Sequence, residues 1–90
     1  MNNHTILNFI PKNGCLAIVS KMLAGNNYFL ESSREKNYMF YSDNKKNRVH
    51  FDLGHGKLIF KYNSSEIKEQ DKKFVEKLEL SLLENSRKIY

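Results

Sequence analysis

Residues 48–61, RVHFDLGHGKLIFK, carry the strongest β-hairpin signal in the chain. Apolar and polar residues alternate on both sides of a glycine-rich centre, which is typical of two antiparallel strands joined by a tight turn. A two-residue turn at 54–55 with glycine first is of type II′. This turn pairs apolar residues on one face of the hairpin: Val49 with Phe60 and Phe51 with Leu58. The opposite face is polar and places Arg48 directly across from Lys61.

The sequence before this hairpin contains short runs of aromatic and β-branched residues. It predicts strands at 27–32 and 37–42, separated by a polar turn at 33–35. With the hairpin strands at 47–53 and 57–62, these form a four-stranded antiparallel meander.

Two amphipathic helices flank the predicted sheet. Residues 13–24 place apolar side chains on one stripe, although the β-rich segment 16–19 leaves a strand as an alternative. Residues 64–88 form a long helix with an inward apolar stripe and a capping signal at 63–64. The predicted fold is α+β, a two-layer sandwich with an N-terminal helix, a meander and a long C-terminal helix.

The chain has 90 residues, enough for one small domain covering 1–90, with residues 1–12 as a loosely packed N-terminal segment. The single cysteine, Cys15, cannot form an intramolecular disulfide, and its apolar neighbours indicate a buried thiol. We find no apolar stretch of membrane-spanning length and no signal-peptide pattern, so we expect a cytoplasmic protein without a membrane partner.

The net charge of +5 comes from 15 Lys and Arg against 10 Asp and Glu. All of this excess lies in residues 1–63, because the helical segment 64–90 carries equal numbers of acids and bases. A basic chain points to a polyanionic partner. Only three of the cations are arginines, however, and a chain rich in Lys and Asn is also what the codon bias of an AT-rich genome produces. Such a composition is plausible for a product of a phage or mobile element.

The polar face of the sheet combines cations with aromatic neighbours, as in proteins that bind single-stranded nucleic acid. The strand at 37–42 is apolar on both faces, so the sequence leaves open whether Tyr38 and Phe40 or Met39 and Tyr41 point outward. The candidate residues for binding an anion or nucleic acid are Lys45, Lys46, Arg48, His50, Lys57 and Lys61.

An aromatic surface can equally contact a protein. Two leucines of the long helix also lie off its inward stripe, which suggests a second small contact. The candidate residues for binding a partner protein are Tyr38, Tyr41, Ile59, Leu80 and Leu83.

No catalytic motif is present: the sequence has no nucleophile elbow, phosphate-binding glycine loop or HExxH pattern. His50, Asp52 and His55 could supply three metal ligands, but their spacing matches no zinc motif. We therefore predict no catalytic residues, no metal and no cofactor.

The leading hypothesis is a small non-enzymatic protein that binds another protein as an inhibitor, adaptor or accessory subunit. The alternative is a nucleic-acid-binding module that uses the basic, aromatic sheet face. The sequence also permits a homodimer.

Overall fold

The computed structural model describes residues 3–43, 46–63 and 66–87. Its elements, in chain order, are β1 (Asn3–Asn8), α1 (Cys15–Gly25), β2 (Tyr28–Arg34), β3 (Asn37–Ser42), β4 (Asn47–Asp52), β5 (Lys57–Tyr62) and α2 (Glu69–Arg87). The predicted α+β architecture with an antiparallel sheet and a long C-terminal helix is confirmed.

The sheet has five strands in the order β1-β5-β4-β3-β2, and every neighbouring pair is antiparallel. Strands β2 to β5 form the expected meander. The fifth strand, β1, comes from the N-terminal segment that was predicted to be loosely packed, and it pairs with β5 from Asn3↔Tyr62 to Asn8↔Lys57. The prediction of four strands was therefore one short. The edge strand β1 needs only one hydrogen-bonded neighbour and carries only one buried side chain, Leu7, so its sequence signal is weak.

The register predicted for the β4–β5 hairpin is confirmed, with Val49 opposite Phe60 and Arg48 opposite Lys61. The type II′ turn was wrong, because the positive φ that such a turn needs at Gly54 is found instead at Gly56, at 65°. The connection spans 53–56 and leaves the apolar pairs in the same register.

The connection between β2 and β3 also differs from the prediction. Glu35 and Lys36 both have positive φ, at 48° and 68°, which is the backbone of a two-residue type I′ hairpin turn. The chain therefore stays extended through Arg34, where a turn had been expected.

Both helices form close to where they were expected, and the strand alternative for 16–19 is wrong because α1 covers it. The second helix begins at Glu69, and the described residues 66–68, which were also expected to be helical, precede it. Ser64 of the predicted cap lies outside the described residues.

The two helices pack on the same face of the sheet and share one apolar core with it. The buried hydrophobic residues form a single cluster: Leu7, Cys15, Val19, Leu23, Tyr28, Phe40, Val49, Phe51, Leu58, Phe60, Phe74, Val75, Leu78 and Leu82. All seven that belong to strands point toward the helices, as the register requires. Within the described residues, the opposite face of the sheet is covered by neither helix.

Candidate functional site

The first candidate site is the uncovered side of the sheet, which we call the open face. Its side chains lie in three rows that cross all five strands. The basic-aromatic row consists of His4, Lys61, Arg48, Tyr41 and Phe29. The apolar row consists of Ile6, Ile59, His50, Met39 and Ser32. The polar row consists of Asn8, Lys57, Asp52, Asn37 and Arg34.

The basic-aromatic row joins three basic side chains to two aromatic rings in a continuous line. Adjacent strands lie about 4.8 Å apart, so five strands give a row about 19 Å long. Its aromatic end is exposed, since Phe29 keeps 48% of its surface in contact with solvent. The rings of Phe29 and Tyr41 are 5.9 Å apart between centroids and tilted by 45°. A planar ligand can therefore reach this aromatic pair from solvent.

The charge of the open face is positive but partly compensated. Arg48 forms an ion pair with Glu31, which lies at an irregularity in the β2 register between Leu30 and Ser32. Among the described residues, no carboxylate lies within ion-pair distance of Lys57 or Lys61. These two lysines are exposed and available to an external anion.

The apolar row is unusual for a solvated sheet face, where polar residues are expected. Ile6 is 44% exposed, and Ile59 and Met39 are half-buried between their neighbours. At the centre of the row, His50 Nε2 donates a hydrogen bond to Asn37 Oδ1 at 2.9 Å. This bond fixes the ring across β4 and β3.

At the polar row, Asp52 binds the hairpin connection. It accepts a hydrogen bond from the His55 backbone at 3.1 Å, and its other oxygen lies 2.8 Å from His55 Nδ1. Desolvation by itself would raise the pKa of Asp52, but the His55 hydrogen bonds and the charges of His55 and His50 outweigh it and lower the pKa. Within the described part of the chain, no three His, Cys, Asp or Glu side chains are grouped closely enough to hold a metal ion.

The structure settles the orientation of β3, which the sequence left open. Tyr41 and Met39 belong to the open face, whereas Tyr38 points toward the helices and packs on Phe51 with ring centroids 6.3 Å apart. Tyr38 therefore does not share a surface with Tyr41 and Ile59.

Tyr38 instead lines an apolar groove of about 360 Å³ between α1 and the edge strand β2. The groove also contacts Leu16, Ala24 and Leu30, and the last of these is 55% exposed. The remaining lining residues are Ser20, Tyr28, Phe29 and Phe40. The α1 helix thus leaves the margin of the sheet next to β2 uncovered.

Of the four remaining predicted site residues, three are described by the structure and lie elsewhere. Leu80 and Leu83 are 59% and 43% exposed on the outer side of α2, away from both the open face and the groove. Lys46 lines a polar cleft beside the start of α2, and Lys45 lies outside the described residues.

That polar cleft is organised by a hydrogen-bonded trio. The Asn47 side-chain amide donates to Tyr28 Oη at 3.2 Å and to Asp71 Oδ2 at 3.3 Å. Burial raises the pKa of Tyr28 to about 12, against the lowering effect of the Asn47 bond and with a contribution from Asp71. These groups satisfy one another, which suits them to fixing α2 against the sheet.

Sequence reasoning missed part of the open face. His4 and Ile6 belong to a strand that was not predicted, Phe29 was not named among the candidate residues, and Arg34 had been placed in the turn at 33–35. The alternation in Asn3–Asn8, with Leu7 inward, was the available signal for the first pair.

No protein-family model, curated protein or solved structure is significantly similar to this chain. None of the helices in the described residues combines the length and apolar character needed to cross a bilayer.

Proposed function

We propose that this protein is a non-enzymatic binding protein that captures an extended segment of a partner protein along edge strand β2. The observation that carries the proposal is the exposure of β2 on both sides. Phe29 on the open face and Leu30 on the helix side are 48% and 55% exposed, and the apolar groove lies directly beside Leu30.

An edge strand presents unpaired backbone N–H and C=O groups and is a template for another strand. In the described sheet β2 is last in the strand order, so its outer edge has no neighbouring strand. Proteins commonly protect such edges with charges and bulges. Here those features are confined to 31–34, with the register irregularity, Glu31 and Arg34. Residues 28–30 lack them.

The groove defines what the added strand should carry. Side chains of a strand alternate between faces, so every second residue of an added segment would point to the helix side. One of them would enter the groove lined by Leu16, Ala24 and Leu30. The expected partner is an extended segment with an apolar residue at that position, held by backbone hydrogen bonds. An inhibitor, adaptor or accessory subunit can act in this way.

The test is a selection of short peptides from a random displayed library against the full chain. We expect selected peptides to alternate apolar and polar residues and to lose at least tenfold in affinity for Leu30→Lys. Ile6→Lys is the matched control, because Ile6 is an exposed apolar residue on the other edge strand. The affinity of the Ile6→Lys variant for the selected peptides should remain within about twofold of wild type.

Amide chemical shifts then locate the bound peptide. Strand addition at β2 should perturb residues 28–34 and leave β1 unchanged. Peptides that bind equally well to both lysine variants, or that perturb other surfaces, would contradict the proposal. The molar mass in solution, measured at several protein concentrations, tests whether the partner is a second copy of the chain. A dimer that is lost in Leu30→Lys and kept in Ile6→Lys would identify it as one.

A further inference from the structure

From the open face we infer a second binding activity, distinct from peptide capture along β2: the basic-aromatic row binds single-stranded nucleic acid. The row places cations and exposed aromatic rings in one line across an uncovered sheet. Proteins that bind single strands without sequence preference combine these two features, because cations contact phosphates and aromatic rings stack on bases.

Charge complementarity argues for a polyanion as the occupant. Four cations project from the open face (Arg34, Arg48, Lys57 and Lys61) against two acids, Glu31 and Asp52. Each acid already has a partner, Arg48 for Glu31 and His55 for Asp52. The α2 helix in the opposite layer carries five acids and four bases over Glu69–Arg87. The side chains of the open face therefore carry a net charge of +2, whereas α2 carries −1.

The length and order of the row set the geometry of the complex. A row of about 19 Å accommodates roughly three to four extended nucleotides, the low end of known site sizes. A strand lying across the sheet meets Lys61 and Arg48 over its central strands and the Phe29–Tyr41 pair at the β2 edge. Ile59 and Met39 of the neighbouring row can contact sugar and base faces.

An uncovered sheet face favours single strands over duplexes. Stacking on Phe29 and Tyr41 requires a base that is not already stacked and paired. The described open face has no helix or projecting ribbon that could enter a major groove. Duplex of equal length should therefore bind at least tenfold more weakly than a single strand.

The test is fluorescence anisotropy of the full chain with a labelled oligothymidylate of about 12 nucleotides and a duplex of the same length. With about three phosphate contacts, the slope of log K against log salt should be about −2 for a single strand. Raising salt from about 50 to 200 mM should then weaken binding about 20-fold. Lys61→Gln should reduce the slope by about 0.7. Lys77→Gln, which removes an equal charge from exposed α2, should leave the slope unchanged.

Two further variants test the aromatic and acidic parts of the row. Phe29→Ala should weaken binding about tenfold, whereas Leu30→Ala, its neighbour on the helix side, should have no effect. Glu31→Gln should strengthen binding about fivefold because it releases Arg48 and removes a negative charge from the row. Glu79→Gln on α2 changes the net charge by the same amount and should leave the affinity unchanged.

Three results would overturn the inference. The first is no anisotropy change at about 50 mM salt, and the second is equal weakening by Lys61→Gln and Lys77→Gln. The third is competition by poly-glutamate as strong as by unlabelled oligothymidylate, which would identify an acidic protein as the occupant. Weaker nucleic-acid binding in Lys61→Gln with peptide selection intact, and loss of peptide binding in Leu30→Lys without loss of nucleic-acid binding, keep this activity distinguishable from capture at the β2 edge.

Discussion

Replacing Gly56 with alanine should lower the free energy of unfolding by about 3 kcal/mol. Gly56 lies where the chain leaving β1 crosses the β4–β5 connection. Its carbonyl oxygen accepts a hydrogen bond from the Phe9 backbone at 2.8 Å. This contact fixes the end of β1 against the sheet, and with it the His4 and Ile6 side of the open face.

The magnitude follows from three local effects. Gly56 has φ of 65°, and holding alanine in that region costs about 1 kcal/mol. A Cβ atom there would overlap the carbonyl oxygen of Phe9 and would lie 3.2 Å from Pro11 Cδ. Relief requires movement of the segment after β1, which weakens the Phe9–Gly56 hydrogen bond by about 1 kcal/mol. It also disturbs the Phe9 ring, stacked on Phe51 at 5.3 Å, for about 1 kcal/mol more.

Urea denaturation followed by circular dichroism measures the effect, with Gly25→Ala as the matched control. A Cβ on Gly25 meets no atom within 4 Å, and its φ is not positive. That variant should be neutral or stabilised by about 0.5 kcal/mol, since alanine restricts the unfolded chain. The midpoint of thermal unfolding should fall by roughly 12–24 °C for Gly56→Ala. If the two variants differ by less than about 1 kcal/mol, the assigned role of Gly56 is wrong.

Three other predictions concern the core. The pKa of Tyr28, about 12 in the fold against about 10 unfolded, favours the neutral phenol. The contribution of Tyr28 to the free energy of unfolding is complete below pH about 10 and is lost as the pH rises to about 12. The stability of wild type, measured by urea denaturation, should therefore fall over this range by up to about 2.5 kcal/mol more than that of Tyr28→Phe. Leu78→Ala should cost about 3 kcal/mol in the same assay because Leu78 is fully buried. Leu80→Ala, at a position 59% exposed, should change stability by less than about 0.5 kcal/mol. Finally, the buried Cys15 thiol should react with a disulfide reagent only as fast as the protein opens, and rapid reaction in native buffer would refute its burial.

The local sequence pattern was sufficient to predict the strands and helices that bury a full apolar face. The alternation of Val49, Phe51, Leu58 and Phe60 predicted the hairpin register correctly, because a shift by one residue would have turned all four to solvent. The predicted turn type was wrong because alternation constrains which residues face each other, but not which glycine takes positive φ.

The candidate site was only partly predictable. Arg48, His50, Lys57, Ile59 and Lys61 were correctly grouped on one face, since that grouping follows from the hairpin register. The aromatic end of the row could not be assigned, as β3 is apolar on both faces.

The α+β class, the meander, the two amphipathic helices and the surplus of positive charge in residues 1–63 could all be predicted from the amino-acid sequence. Those properties depend on periodicity and composition, which a linear chain already contains. Tertiary structure decided that β1 joins β5, that Tyr41 faces outward while Tyr38 faces the helices, and that β2 remains an uncovered edge. These outcomes depend on which strands meet and on how much of the sheet two helices can cover. Both are set by contacts between residues far apart in the sequence, which no local pattern contains.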